Sequence, residues 1–192
     1  WSAEAIEAYR ARFGNFGKHI HTLPDSYRRL HDREELAIGA HRWRVIVGIG
    51  HSPEHATLYC DEDSLMLSGD MVLPRISTNV SVWELEPESN PVDWYLESLD
   101  KMHHCRDDTL VLPAHGKPFR NLHRRIQQQH AHHLERLELV LAECAKHPCS
   151  AADIMPVMFE RAFDVHQTTF AMGESLAHLH ALWYREQVER AI

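Results

Sequence analysis

The spacing of apolar residues predicts helices at both ends of the chain and strands in its middle. Near the start, Ile6, Tyr9 and Phe13 recur at helical spacing. The pattern then changes to alternation, with Trp43 and Val45 on one side of a strand. The predicted elements are a helix over 2–13, strands over 42–49, 56–60 and 64–67, a loop over 71–89, a helix from 91, a strand over 109–112, helices over 119–145, 150–161 and 167–183, and a short strand over 188–192.

Two helix starts carry local signals, and a proline suggests a domain boundary. Asn90 precedes Pro91, an arrangement typical of a helix N-terminus. Ser150 and Asp153 have the spacing of a capping box. Because Pro148 ends the long helix, we predict one domain over 1–147 and a second over 148–192. The second is small for an independent core, so we expect it to dock on the first.

Composition excludes several classes of protein. Of 192 residues, 44% are hydrophobic and 25% charged, as in ordinary globular domains. No apolar run reaches the ~18–20 residues of a membrane span, so we expect no membrane partner. A net charge of −8 argues against a protein that binds phosphate backbones through a basic face. The four cysteines form no CxxC pair, which favours reduced thiols and a cytoplasmic location.

Three side chains suited to metal binding each follow a predicted strand. His51, Asp70 and His115 come directly after the strand ends, each with a glycine beside it. Strand ends in a layered fold are rigid platforms whose loops gather along one edge. Two imidazoles and a carboxylate on such an edge suit a divalent transition metal. The sequence therefore predicts a metal site built from these three residues.

The same residues carry a family resemblance that covers nearly the whole chain. The run Gly50-His51-Ser52-Pro53-Glu54-His55 resembles the GHTPGH motif of the metallo-β-lactamase superfamily. Ser68-Gly69-Asp70 resembles its Gly-Asp motif, and Ala114-His115-Gly116 its late Gly-His-Gly motif. Segment 30–39 resembles the polar hairpin before the third metal motif. The segment from Ser150 resembles the small winged-helix-type domain behind some members.

The resemblance implies an α/β fold and a hydrolytic activity. The fold would be an αββα sandwich followed by a small helical, winged-helix-like domain. Two divalent metal ions are implied, with zinc as the default and iron or manganese fitting the same ligands. Asp70 would bridge the ions, with His51 completing one ligand set and His115 the other. A hydroxide held between them would attack an ester, thioester, lactam or phosphodiester bond.

Further residues are candidates for supporting the ligands or touching a substrate. Ser52, Glu54 and His55 lie in the same motif as His51, and any of them can orient the ligands from behind. The loop after Asp70 adds Thr78 and Asn79, and Arg75 suits an anionic group. A well-packed surface loop is the alternative interpretation of that segment.

The family's HxHxDH motif, which supplies most of the remaining ligands, is absent from this sequence. His19 and His21 form an HxH, but an Asp-His pair does not follow, so we interpret them as loop residues. The chain also begins with Trp1 rather than methionine. We therefore expect it to be the C-terminal part of a longer protein, with the N-terminal half absent.

The chain has 17 histidines, and most of them are expected to be ordinary. The pair His103-His104 ends a helix, where a cation suits the dipole. The cluster 130–133 is expected to face mostly solvent, and His178 and His180 to point to different faces of one helix. We assign none of them to a site.

Two other functions compete with the hydrolase. The C-terminal segment is a candidate RNA-binding or RNA-processing module, although its basic and acidic residues are mixed. A metal-free structural or dimerisation protein is the third hypothesis, since the long helix and the C-terminal helices supply apolar surface. A homodimer is a further partner that this surface would allow. For the hydrolase, the expected partner is a small-molecule ester or thioester.

Overall fold

The computed structural model describes residues 3–13, 22, 24–161 and 163–191, and it contains one β-sheet flanked by helices. His19 and His21 lie outside the described residues. The strands are β1 (Glu35–Ile38), β2 (His41–Gly48), β3 (His55–Cys60), β4 (Leu65–Gly69) and β5 (Leu110–Pro113); the helices are α1 (Ala3–Phe13), α2 (Pro91–Asp100), α3 (Leu122–Cys144), α4 (Ala151–Met158) and α5 (Val165–Tyr184), with a 3-10 turn over Lys101–His104.

Strand order in the sheet follows chain order from β1 to β5. The first three pairings are antiparallel, and β5 pairs with β4 in parallel. Strands β2, β4 and β5 therefore run in the same direction and end at the same edge of the sheet. We call this edge, where β3 also begins, the Asp70 edge.

One face of the sheet packs against the helices to form the core. Cross-strand neighbours Tyr59, Met66 and Val111 share this face and are buried. They belong to one apolar cluster with Leu99 of α2 and Ile126 of α3. Burying such large side chains is the main favourable term in folding. The helices thus form a layer on this face.

The opposite face of the sheet is also apolar. Val45, Leu58, Leu67 and Leu112 are successive partners across four strands and form one row. Leu67 is 37% exposed on this face. Apolar residues on both faces are typical of a sheet covered on both sides, as in a sandwich. The described residues form one sheet, and the second sheet of the predicted αββα sandwich stays a prediction.

The C-terminal helices dock on the rest of the chain. Helix α5 packs against α1, α2 and α3, and α4 packs against α3 and α5. The predicted capping box at α4 is confirmed, with Asp153 accepting from the backbone N–H of Ser150 at 2.8 Å. Between the two predicted domains, Tyr184 donates a hydrogen bond to the carbonyl of Glu88. The domain boundary itself stays a prediction.

The predicted C-terminal strand is wrong. Residues 188–191 form no strand, and within 145–161 and 163–191 the only regular elements are α4 and α5. The described part of this segment therefore lacks the strands from which a wing is built. Helix α3 also begins later than predicted, at Leu122, because Phe119 exchanges two backbone hydrogen bonds with Val111 of β5.

Two histidines expected to be ordinary are buried against each other. His133 and His178 have no exposed surface, and their Nδ1 and Nε2 atoms lie 3.2 Å apart. Burial lowers the pKa of His178 to about 4, so this imidazole is neutral near pH 7. The expectation that the 130–133 cluster faces mostly solvent is thus wrong for His133, because α3 turns that side chain toward α5.

No helix among the described residues is long and apolar enough to cross a membrane.

The core position on α3 gives a test of the fold. Ile126 is fully buried, whereas Leu134 on the same helix is 54% exposed. We expect Ile126→Ala to lower the free energy of unfolding by about 2–5 kcal/mol, since it leaves a cavity. Leu134→Ala should change it by less than about 0.5 kcal/mol. Urea denaturation measures both variants, and equal losses would contradict the assigned packing.

Candidate metal centre

The Asp70 edge brings together the three predicted metal ligands. His51 follows β2, Asp70 follows β4 and His115 follows β5. Gly50 turns the backbone at φ +109°, and a Cβ at this position would lie 2.6 Å from the Pro91 carbonyl oxygen. Only glycine therefore allows the chain to pass α2 this closely before it presents His51.

The Asp70 carboxylate lies between the two histidines. Its Oδ2 is 3.7 Å from His51 Nε2, and its Oδ1 is 3.4 Å from His115 Nε2. His51, Asp70 and His115 do not form a cluster with all ligand atoms within 4.8 Å of one another. The Asp70 carboxylate therefore has one oxygen toward each histidine, and the three side chains do not converge on a single point.

His51 is oriented as a metal ligand would be. Its Nδ1 donates a hydrogen bond to the Asn79 carbonyl oxygen at 2.8 Å. With the proton on Nδ1, the lone pair of Nε2 points toward the Asp70 side. The donor chemistry of the three residues, two imidazoles and one carboxylate, also suits a divalent transition metal.

His55 supports Asp70 from the backbone side. Its Nε2 accepts a hydrogen bond from the Asp70 backbone N–H at 3.1 Å. The ring covers Gly69, where a Cβ would come within 2.4 Å of it. Burial lowers the pKa of His55 and favours the neutral acceptor form. His55 therefore holds the Asp70 backbone in place.

Thr78 and Asn79 hold the site from the loop that follows Asp70. The Thr78 hydroxyl donates to the Asp70 carbonyl oxygen, and the Asn79 carbonyl fixes His51. The Asn79 side chain is itself held, since its Oδ1 accepts from Ser81 Oγ at 2.8 Å. The sequence predicts that these two residues support ligands or touch substrate, and the structure places both in contact with candidate ligands, Thr78 with Asp70 and Asn79 with His51.

Glu174 on α5 completes this chain of contacts, and sequence reasoning missed it. Its Oε2 accepts from Asn79 Nδ2 at 3.3 Å, which links α5 to His51 through Asn79. The side chain is buried, and burial raises its pKa to about 7. The available signal was a glutamate after Gly173 in an otherwise small and apolar stretch of helix.

Ser52 and Arg75 have weaker connections to the site. Ser52 is half-buried and lines a cavity of about 250 Å³ together with His51, Trp83 and Trp94. Arg75 is exposed on the loop after Asp70. Contact of either residue with a substrate stays a prediction.

Replacing His55 tests its support of Asp70. His55→Phe keeps a ring over Gly69 but removes the acceptor for the Asp70 N–H, leaving that group unpaired. We expect metal affinity to fall by roughly 10–100-fold, as is usual when a group behind a ligand is lost. Isothermal titration with zinc measures the affinity. His55→Gln, which keeps an acceptor, should lose less, and an equal loss in both variants would contradict this role.

The buried carboxyl of Glu174 gives a pH-dependent prediction. Its pKa is about 7 in the folded protein, against ~4.3 in an unfolded chain. The folded state therefore binds more protons between these values, and stability from this group falls as the pH rises. Glu174→Gln cannot ionise, so its stability relative to wild type should rise by about 2 kcal/mol from pH 5 to pH 8.

Urea denaturation at the two pH values measures this difference. Glu189→Gln, at an exposed position, is the control and should show no such trend. If the stability difference between Glu174→Gln and wild type stayed constant with pH, the pKa of the Glu174 carboxyl would not be raised as described.

Comparison with known proteins places this geometry in a family. The family model for the metallo-beta-lactamase superfamily matches residues 4–115, and the model for a metallo-beta-lactamase-like C-terminal domain matches residues 137–192. A curated relative, the probable metallo-hydrolase YqjP of Bacillus subtilis (strain 168), is 27% identical over 161 residues. That alignment covers 81% of this chain and 50% of the relative.

Two solved structures are also similar. A beta-lactamase domain protein from Burkholderia ambifaria is 51% identical, with a TM-score of 0.91 over 96% of this chain and 53% of that protein. A metallo-beta-lactamase family protein from Thermus thermophilus is 32% identical, with a TM-score of 0.77 over 88% of this chain and 52% of that protein. The chain thus spans about half the length of these relatives.

The first family model covers more than half of the chain and includes all three predicted ligands. The chain therefore belongs to the metallo-beta-lactamase superfamily.

Proposed function

We propose that this chain contributes the Asp70 half of a two-metal hydrolytic site. The observation that carries the proposal is the position of the Asp70 carboxylate, whose two oxygens face two different histidines. His51 would hold one ion, His115 the other, and Asp70 both. Three side chains are fewer ligands than two ions need, so the proposal requires further ligands beyond these three.

Zinc is the proposed metal, because imidazole and carboxylate ligands suit it. When bound, the metal pair would lower the pKa of water and polarise the bond to be hydrolysed. In this proposal, the role of this chain is to hold the ligands in position before the metals bind. His55 and Thr78 hold the backbone of Asp70, and Asn79 holds His51, so that little reorganisation is needed when the metals bind.

The substrate we propose is a small molecule with an ester or thioester bond. The cavity beside His51 supports this size class, since its volume of about 250 Å³ lies just below the usual range for ligand pockets. Trp83 and Trp94 give it an apolar lining, while Ser52 adds a hydroxyl. This cavity would take the organic group next to the reacting bond.

Metal stoichiometry tests the proposal residue by residue. In the metal-loaded protein, His51→Ala and His115→Ala should each lower the affinity for one ion. Asp70→Asn should lower the affinity for both ions. Hydrolysis of a panel of esters and thioesters should fall by at least about 100-fold in Asp70→Asn, because a group essential to both metal positions is lost. Elemental analysis after dialysis and initial rates are the two measurements.

Asp25→Asn is the matched control, since Asp25 is exposed and distant in sequence from the three ligands. It should keep wild-type metal content and rate. If Asp70→Asn also kept both, Asp70 would not bridge metals and the proposed function would be wrong.

A further inference from the structure

A second group of ligand-type side chains lies at the opposite edge of the sheet. His41 begins β2, Cys60 ends β3, and Asp63 lies in the turn between β3 and β4. Because β2 and β4 end at the Asp70 edge, their beginnings lie at the other edge. The three residues are therefore a strand length away from Asp70.

The three side chains converge on one point. Asp63 Oδ2 lies 2.7 Å from His41 Nδ1 and accepts from Cys60 Sγ at 3.4 Å. All three ligand atoms lie within 4.8 Å of one another, and within the described part of the chain this is the one group of three His, Cys, Asp or Glu residues that does so. A single carboxylate oxygen is thus shared by an imidazole and a thiol.

Burial closes the group on one side and leaves it open on the other. Cys60 has no exposed surface, whereas the side chains of His41 and Asp63 are 50% and 43% exposed. An ion can therefore approach from solvent, with the sulfur as the innermost ligand. Burial raises the pKa of the Cys60 thiol, so a bound ion would have to displace its proton.

The neighbouring acidic side chains have other partners. Asp61 accepts from the Tyr59 hydroxyl at 2.8 Å, and Glu62 lies 3.7 Å from Arg42. Asp63 is therefore the acid of this turn that faces the histidine and the thiol. The turn also carries three successive carboxylates, and negative charge attracts cations.

The backbone holds the three ligands in a fixed frame. Cys60 pairs with Leu65 in the β3–β4 ladder, and the Ser64 N–H donates to the Asp61 carbonyl at 3.2 Å to close the turn. Ser64 takes a φ of +50° at the end of the turn. Given zinc bond lengths near 2.0–2.3 Å, His41 Nδ1 and Asp63 Oδ2 would need to separate by roughly half an ångström to admit an ion, whereas Cys60 Sγ and Asp63 Oδ2 are already about far enough apart.

We propose that His41, Cys60 and Asp63 form a second binding site, for a zinc-class divalent cation. The donor set of nitrogen, sulfur and oxygen selects borderline ions such as zinc and cobalt over magnesium or calcium. Three protein ligands leave a fourth position for water. The bound ion would tie the start of β2 to the β3–β4 turn and so stabilise the sheet at this edge.

Cobalt(II) titration of the metal-free protein tests this site separately from the Asp70 edge. Thiolate ligation gives cobalt a charge-transfer band in the near ultraviolet, and none of His51, Asp70 and His115 contains sulfur. We expect the band to appear, to saturate at one thiolate-bound ion per chain, and to be lost in Cys60→Ser. Because ligand binding requires a deprotonated thiol, the band should weaken as the pH falls.

Two further variants test the site without replacing a buried residue, since Cys60→Ser could lose the band through misfolding alone. His41→Gln and Asp63→Asn alter half-exposed side chains, and each should weaken cobalt binding at least about 10-fold while circular dichroism stays unchanged. Wild type should also gain thermal stability on zinc addition, as ligand linkage requires, and Cys60→Ser should gain less.

Control variants show whether the cobalt band comes from Cys60 or from another thiol, and whether it depends on the proposed hydrolytic site. The double variant Cys144→Ser/Cys149→Ser should keep the band, although Cys149 lies near His147. Asp70→Asn should also keep it, whatever its effect on hydrolysis. Absence of the band in wild type, its survival in Cys60→Ser, or its loss in Cys144→Ser/Cys149→Ser would overturn the proposal.

Discussion

The parallel pairing of β4 with β5 is the constraint on which the candidate centre depends. In an otherwise antiparallel sheet, this pairing makes β5 end at the same edge as β2 and β4. His51, Asp70 and His115 are up to 64 positions apart along the chain, by subtraction of their numbers. They become neighbours because three strands end at one edge. An antiparallel β5 would have sent His115 to the opposite edge.

Hydrogen bonds behind the ligands convert this proximity into a defined geometry. Asp70 is held through its backbone at two atoms, by the imidazole of His55 and the hydroxyl of Thr78. His51 is held through Asn79, which in turn contacts Glu174. Packing of α5 is thereby coupled to the position of a candidate ligand, so the C-terminal helices are part of the site's support. A helix that served only as an added module would not need this contact.

The two edges of the sheet share one arrangement of side chains, but the roles proposed for them differ. At each edge a carboxylate lies between other ligand-type groups, and backbone turns at strand ends place it there. The Asp70 edge lies beside a small cavity, whereas the His41 edge carries a buried thiol. Hydrolysis needs space for a substrate beside the ligands, and a stabilising ion needs only ligands. The cavity therefore supports the proposed hydrolytic role at the Asp70 edge, and the thiol supports the proposed stabilising ion at the His41 edge.

The sequence by itself determined most of the elements and singled out the three strand-end residues as candidate ligands. Apolar periodicity and turn residues are local signals, so β2 to β5 and α1 to α5 lie close to their predicted positions. The predicted element that did not form, a strand over 188–192, rested on a few residues without a defined pairing partner. The motifs around His51, Asp70 and His115 were visible because each lies within a few residues of a strand end.

Only the tertiary structure decided which distant side chains meet. Glu174 is 95 positions from Asn79, and His178 is 45 from His133. Cys60 and His41 are neighbours only because β2 and β3 pair in one register. A helix position can face solvent or core with the same local sequence, and docking of α5 against α3 and the 79–81 loop selects the buried alternative. These contacts depend on strand register and helix packing, which no local pattern encodes.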